Sequence, residues 1–246
     1  VPLKSEIIVQ ESLERLSAAA AGLFAMRAKE CVQQKRRFSV ALSGGSTPRG
    51  MHRALSEEPF LSELPWPLIH VWWADERCVA GDDPSSNYGA AKRDFLDRVP
   101  LPPGQIHPMP AEMVPKDGAR HYEDELVRHF QLKRGQIPIF DLIFLGIGKD
   151  GHTASLFPGQ HALNEQRRLV LSVKGGEPDV ARLTLTLPVI NRARQIVFLV
   201  SGKEKAEIVK AVLDSKDLQR PAQRIQPVKG RLTWILDRDA ASLISA

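Results

Sequence analysis

His152 has the setting that most invites chemistry. It follows Asp150 and Gly151 and lies a few residues beyond an apolar run, FDLIFL at 140–145. A histidine on a turn past a strand's carboxyl end faces whatever binds there. Its imidazole, with an unperturbed pKa of about 6.5, suits a general base at neutral pH. Asp150 would orient the ring or hold a substrate hydroxyl; the plain alternative is a structural histidine bonded to backbone. The segment Ser43-Gly44-Gly45-Ser46-Thr47-Pro48 offers a different chemistry. Two glycines let the backbone turn tightly and expose N–H groups, Thr47 can cap a following helix, and Pro48 suits its first turn. A helix N-terminus with free N–H groups and hydroxyls is a phosphate cradle, although an ordinary strand-to-helix turn reads the same way. No lysine follows in the P-loop pattern, so nucleoside triphosphate binding is not expected. Asp75-Glu76-Arg77 is a third polar cluster: acids for sugar hydroxyls and a guanidinium for an anion or carbonyl, or else a surface ion pair. His52, His70, His107, His121, His129 and His161 lack the setting of His152, and no local spacing among them predicts a metal site.

These residues need elements to position them. Apolar residues spaced near 3.6 predict a helix from about Ser12 to Gln34. A buried strand at 38–42 runs into the Gly-Gly turn and a helix from Pro48 to about Ser56. A second strand covers 67–74, with Trp72 and Trp73 on opposite faces as core. A helix follows at 87–99, and the Pro-rich stretch 101–115 must be irregular. Another helix spans about 118–132. Strand 140–145 is nearly all apolar, as a strand covered on both faces should be. Beyond it, strands are expected at 168–174, 182–187 and 195–201, a helix at 203–213, and a last strand at 230–237 before a small helix. Alternating strands and helices imply βαβ units and a largely parallel sheet, whose ligands bind beyond the carboxyl ends of the strands. The three polar turns all fall there, which argues for one site. GIGKDG at 146–151 matches a dinucleotide fingerprint literally, but Pro158 cuts off the helix it needs and the next strand ends at Lys174 rather than an acid. Nicotinamide or flavin binding is therefore not expected.

The chain has 246 residues, enough to bury a large core as one domain, 1–246, without metal or disulfide. Its net charge of +5 comes from basic residues interleaved with acids, which fits a small anionic substrate and excludes a nucleic-acid patch. No apolar run is long enough for a membrane span, and the start lacks the basic-then-apolar pattern of a secretory leader. Cys31 and Cys78 form neither a disulfide framework nor a CxxC pair and read as small buried hydrophobes of a cytoplasmic protein.

Taken together, ALSGGSTP at 41–48, WADERCV at 73–79 with SSNY at 85–88, FDLIFLGIGKDGHTASLFPG at 140–159, ARLTLTLPVIN at 181–191 and SGKEKA at 201–206 resemble the 6-phosphogluconolactonase family. The likeness spans essentially the whole chain. DGHTASLFPG is the most specific segment, and the N-terminal helix and the 101–115 loop are the less typical parts. The resemblance implies an α/β, Rossmann-like three-layer sandwich with a mostly parallel sheet, similar to glucosamine-6-phosphate deaminase and ribose-5-phosphate isomerase. It implies hydrolysis of 6-phospho-D-glucono-1,5-lactone, the second step of the oxidative pentose phosphate pathway, with no cofactor and no metal. His152 matches the family's catalytic histidine, with Asp150 beside it. Gly44, Gly45, Ser46 and Thr47 would cradle the phosphate with Arg182 and Lys205, with Lys203 a rival to Lys205. Asp75 and Arg77 would line the sugar end. The expected partner is a small sugar phosphate, with no nucleic acid and no membrane, and the state a monomer or weak homodimer.

Two other readings compete. A sugar-phosphate isomerase or deaminase would need a base between C1 and C2, and the deaminases carry a glutamate shortly after the histidine motif. Here TASLFPGQ follows His152, with no acid until Glu165, which favours hydrolysis. A non-catalytic sugar-phosphate sensor would carry an attached DNA-binding or partner domain, for which the segment before Ser43 leaves no room.

Overall fold

The computed structural model describes residues 5–35, 37–215 and 217–244. Along the chain run β1 (Glu6–Gln10), α1 (Leu13–Lys35), β2 (Phe38–Leu42), α2 (Thr47–Leu55), α3 (Phe60–Glu63), β3 (Ile69–Trp73), β4 (Asp75–Arg77), α4 (Asn87–Ala91), β5 (Ile106–His107), α5 (Pro115–Phe130), β6 (Leu142–Leu145), β7 (Val170–Gly175), β8 (Val180–Leu185), α6 (Leu187–Asn191), β9 (Gln195–Val200), α7 (Ala206–Asp214) and β10 (Arg231–Asp237). Seven strands form one sheet in the order β1-β10-β9-β6-β2-β3-β5, and every pairing in it is parallel. β2, β6 and β9 are buried along their whole lengths, as their mainly apolar sequences require, with Ser39 and Gln195 the polar exceptions.

The strand order explains where a ligand would sit. From β2 the chain moves outward through β3 to β5, then returns to place β6 on the other side of β2 and moves outward again through β9 and β10. The order reverses between β2 and β6. Loops leaving the carboxyl ends of these neighbours diverge and open a crevice. They are the Ser43–Pro48 turn and the 146–153 turn.

Several elements differ from the sequence reading, each for a physical reason. β1 is a sheet-edge strand with Ile7 and Val9 largely exposed, so it lacks the apolar run of a buried strand. The strands expected at 168–174 and 182–187 are present as β7 and β8, but they form a separate antiparallel sheet with β4 rather than joining the main one. The 101–115 stretch contains β5, and α5 begins at Pro115, where a missing N–H costs nothing. That helix ends on Gln131 in the left-handed conformation. The helix expected at 87–99 shortens to α4, followed by a π-helical turn over Lys92–Leu96. Lys203–Lys205 is a 3-10 turn leading into α7. Residues 238–243, after β10, form turns rather than a small helix. Trp72 and Trp73 are both buried, as is Cys31, whereas Cys78 is half-buried.

Candidate active site

The 146–153 turn is built to hold His152 in place. Gly148 N–H donates to the His152 carbonyl (2.9 Å) and Gly151 N–H to the Gly148 carbonyl (2.9 Å), while Thr153 Oγ1 donates to Gly146 O (2.8 Å). Within this coil Asp150 Oδ1 accepts from His152 N (3.0 Å) and lies 2.6 Å from its ring Nδ1. A carboxylate on Nδ1 fixes the proton there and leaves the lone pair on Nε2, the form a general base needs. Close approach of the ring to the turn requires glycine at 148: a Cβ there would lie 2.1 Å from His152 Nδ1 and 2.7 Å from Asp150 Oδ1. The Phe157 ring sits 4.8 Å from the imidazole and closes one side.

The Gly-Gly turn faces this histidine across the crevice. Ser46, not Thr47, occupies the N-cap position of α2, and its side chain caps nothing. Thr47 is the first helical residue, and its hydroxyl pairs with Ser201 Oγ at 2.9 Å, tying the turn to the end of β9. Ser43 Oγ is buried at the crevice wall without a partner among the described residues. An unpaired buried hydroxyl is costly, so a ligand atom here would be stabilising. Gly44 abuts Asn87, whose Oδ1 would lie 1.7 Å from a Cβ at that position.

Asn87 was not foreseen as a site residue, and it organises the third cluster. Its Nδ2 donates to Asp75 O (2.9 Å), and its Oδ1 accepts from Arg77 Nη1 (3.0 Å). Asp75 is buried and takes a short bond from Ser155 Oγ (2.7 Å). Glu76 turns away from the crevice. Its carboxylate accepts from the backbone N–H groups of Arg77, Asn87 and Tyr88 and thereby holds the 86–88 loop. Burial pushes its pKa up, against those bonds.

Arg182, which reads as a surface residue in isolation, is only 3% exposed. It pairs in register with Arg77 across β4 and β8. Its Nε donates to Gly175 O (2.7 Å) and its Nη2 to Glu177 O and Pro178 O. Burial, then the neighbouring Arg77 charge, lowers its pKa. Two adjacent guanidiniums, bonded mainly to carbonyl oxygens, place two positive charges on this wall, with the Asp75 carboxylate beside them. Lys205 reaches Ile147 O at 2.8 Å on the opposite side, and burial lowers its pKa too. Lys203 is exposed and outside the crevice.

These groups converge on one cavity of about 220 Å³. It is lined by Gly44, Gly45, Ser46, Thr47, Asp75, Arg77, His152, Arg182 and Lys205, together with Ser43 and Asn87. Asp150 stands behind His152. The space suits a sugar-sized anion, with the His152 imidazole in its lining alongside the cations of Arg77, Arg182 and Lys205.

Residues 11–234 match the family model described as glucosamine-6-phosphate isomerases/6-phosphogluconolactonase. The chain belongs to this family. A 6-phosphogluconolactonase of a Synechocystis species is 44% identical over 218 residues, covering 87% of this chain and 88% of its own. A solved 6-phosphogluconolactonase from Trypanosoma cruzi superposes with a TM-score of 0.88 at 30% identity, covering 100% of this chain and 99% of that one. A solved monomeric glucosamine-6-phosphate deaminase superposes with a TM-score of 0.82 at 25% identity over 97% of this chain and 100% of its own. Within the family's α/β fold, then, the ends of β2 and β6 carry the Gly-Gly turn and His152, β4 carries Asp75 and Arg77, β8 carries Arg182, and the turn after β9 carries Lys205.

Proposed function

We propose that the cavity hydrolyses 6-phospho-D-glucono-1,5-lactone to 6-phospho-D-gluconate, the second step of the oxidative pentose phosphate pathway. The observation that carries this reading is the Asp150–His152 pair, bonded at 2.6 Å, at the wall of a cavity that Arg77, Arg182 and Lys205 make cationic. His152 Nε2 takes a proton from water as the water oxygen bonds to C1 and the carbonyl becomes an oxyanion. Collapse of the oxyanion breaks the bond between C1 and the ring oxygen. The imidazolium returns its proton to that oxygen, leaving a hydroxyl and a carboxylic acid that ionises in water. Asp150 holds the ring and stabilises the transient imidazolium. The exposed N–H groups of the 44–47 turn, with Arg182 and Lys205, bind the phosphate, and Asp75 and Arg77 bind the sugar.

The remaining features of this reading follow from simpler observations. A single domain is supported by one apolar core whose members run from Leu16 to Ala240. A cytoplasmic location is supported by the free thiols of Cys31 and Cys78. Among the described residues no helix is long and apolar enough to cross a membrane. We take the enzyme to act without cofactor, as a monomer or weak homodimer, which sedimentation of the purified chain decides.

A two-substrate assay tests the function. Lactone loss should exceed the spontaneous rate in a buffer blank, and glucosamine-6-phosphate should yield no fructose-6-phosphate. Deamination without lactonase activity would replace the reading.

A further inference from the structure

Near the amino ends of β2 and β3, away from the cavity, three histidines distant in sequence come together. His70 lies on β3, His107 on β5 and His129 in the last turn of α5. One ring nitrogen from each lies within 4.8 Å of the other two. His70 Nδ1 and His107 Nε2 are 3.0 Å apart. Tetrahedral ligands at bond lengths of about 2.0–2.1 Å are roughly 3.3 Å from one another, so small shifts of ring and backbone close the set around an ion.

We propose that His70, His107 and His129 form a binding site for a borderline divalent transition-metal ion such as Zn2+, with water as the fourth ligand. Three further observations support it. Glu125 Oε1 lies 2.6 Å from His107 Nδ1. A carboxylate on the far nitrogen fixes the tautomer and points the Nε2 lone pair inward, as behind many metal-bound histidines. The indole of Trp72 stacks on the His107 ring at 3.8 Å and 7°, and its centroid is 4.9 Å from that of His129, so two rings are locked in place by packing. Lastly, His70 and His129 are half-buried rather than sealed, which leaves a route for the ion and room for its water.

Binding has a definite proton balance. The hydrogen bond between His70 and His107 is given up, and the proton it uses on His70 Nδ1 moves to Nε2 of the same ring, so both lone pairs face the metal. No net proton is released from the rings. Arg37, which donates to His129 O at 3.4 Å, opposes the ion electrostatically and favours moderate affinity. Occupancy would pin the end of α5 to the sheet edge formed by β3 and β5. Separate from the reaction chemistry, this is a site for structural stabilisation.

Cobalt titration tests the proposal without reference to activity. Chelator-treated wild-type protein should take up one Co2+ per chain with the intense visible absorption of a tetrahedral ion, Zn2+ should abolish that absorption by displacement, and Zn2+ should raise the melting temperature. His152→Ala should behave like wild type. His70→Gln and His129→Gln, each judged folded by circular dichroism and lactone turnover, should lose the spectrum and the thermal shift. If wild type shows no tetrahedral Co2+ spectrum, the site does not exist, whatever the variants do. A spectrum that survives both glutamine variants, or vanishes in His152→Ala, places the metal elsewhere and equally overturns the assignment.

Discussion

Asp150 Oδ1 binds His152 twice, at the ring Nδ1 (2.6 Å) and at the backbone N–H (3.0 Å), so the carboxylate sets ring tautomer and turn geometry together. If orientation is its task, Asp150→Ala should lower kcat at least about tenfold, up to the ~10²–10⁴-fold that losing the general base itself would cost, and leave KM for the lactone nearly unchanged. A raised KM with kcat preserved would instead make Asp150 a ligand of the sugar hydroxyls. Steady-state kinetics separates the two.

Gly148 is the backbone position on which that pair depends. A methyl at 148 would lie 2.1 Å from the His152 ring and 2.7 Å from Asp150 Oδ1. Gly148→Ala should displace the imidazole by a substantial part of an ångström, and a displacement of about 1 Å can cost ~10²-fold in rate. Overpacking should cost about 1–3 kcal/mol of stability. Turnover and urea unfolding of the variant check both. Near-normal kcat would mean that the ring need not hold this position.

Arg182 and Lys205 should bind the phosphate with different strength. Arg182 has Nε and Nη2 fixed on carbonyl oxygens, so its guanidinium offers Nη1 from a rigid position, whereas Lys acts as a point charge on a flexible stem. Arg182→Ala should therefore weaken binding of 6-phosphogluconate more than Lys205→Ala, and both should lower turnover of the phosphorylated lactone because remote binding energy positions the carbonyl. Unphosphorylated gluconolactone should be a poor substrate, nearly insensitive to either change. Equal sensitivity of the two lactones would remove both residues from the phosphate site. Arg182→Ala should also melt at a lower temperature, since Gly175 O, Glu177 O and Pro178 O lose their donor.

His52 makes stability pH-dependent. It lies on α2, buried, with neither ring nitrogen paired among the described residues and its ring against Phe95. Burial lowers its pKa to about 4, and the Arg49 and Arg53 charges add to this against an opposing pull from Asp94. The unfolded chain, with a histidine near pKa ~6.5, binds the proton more readily than the folded one, so this group destabilises the fold progressively as pH falls from about 6.5 toward 4. The full effect is of order 3 kcal/mol. His52→Phe should flatten the fall in melting temperature between pH 7 and pH 5. An unchanged slope would assign acid sensitivity to other groups.

Much of the site was legible because its residues sit in short, ordered motifs. His152, Asp150 and the Ser43–Pro48 turn each follow a strand end within a few positions, and a parallel sheet must bring such ends to one edge. Arg182 was legible only by resemblance, since nothing local shows that its strand joins β4 and carries it beside Arg77. Asn87 was missed for a similar reason. Its partners Asp75 and Arg77 lie before a loop, and Gly44 lies on another strand's end, so its role exists only in three dimensions. The Thr47 cap failed because Ser46 took the N-cap position while the Thr47 hydroxyl found Ser201. β1 was missed because an edge strand needs only partial burial. The His70–His107–His129 group could not be found from spacing, since its members arrive from β3, β5 and α5.

In the proposed mechanism His152 activates water against the lactone carbonyl. Turnover of 6-phospho-D-glucono-1,5-lactone by wild type and His152→Ala, each corrected for spontaneous hydrolysis in a buffer blank, tests this step most directly. Wild type should clearly accelerate hydrolysis, and His152→Ala should lose roughly 10²–10⁴-fold with unchanged circular dichroism. A folded His152→Ala that retains turnover within about tenfold of wild type would contradict it, because another group would then be the base.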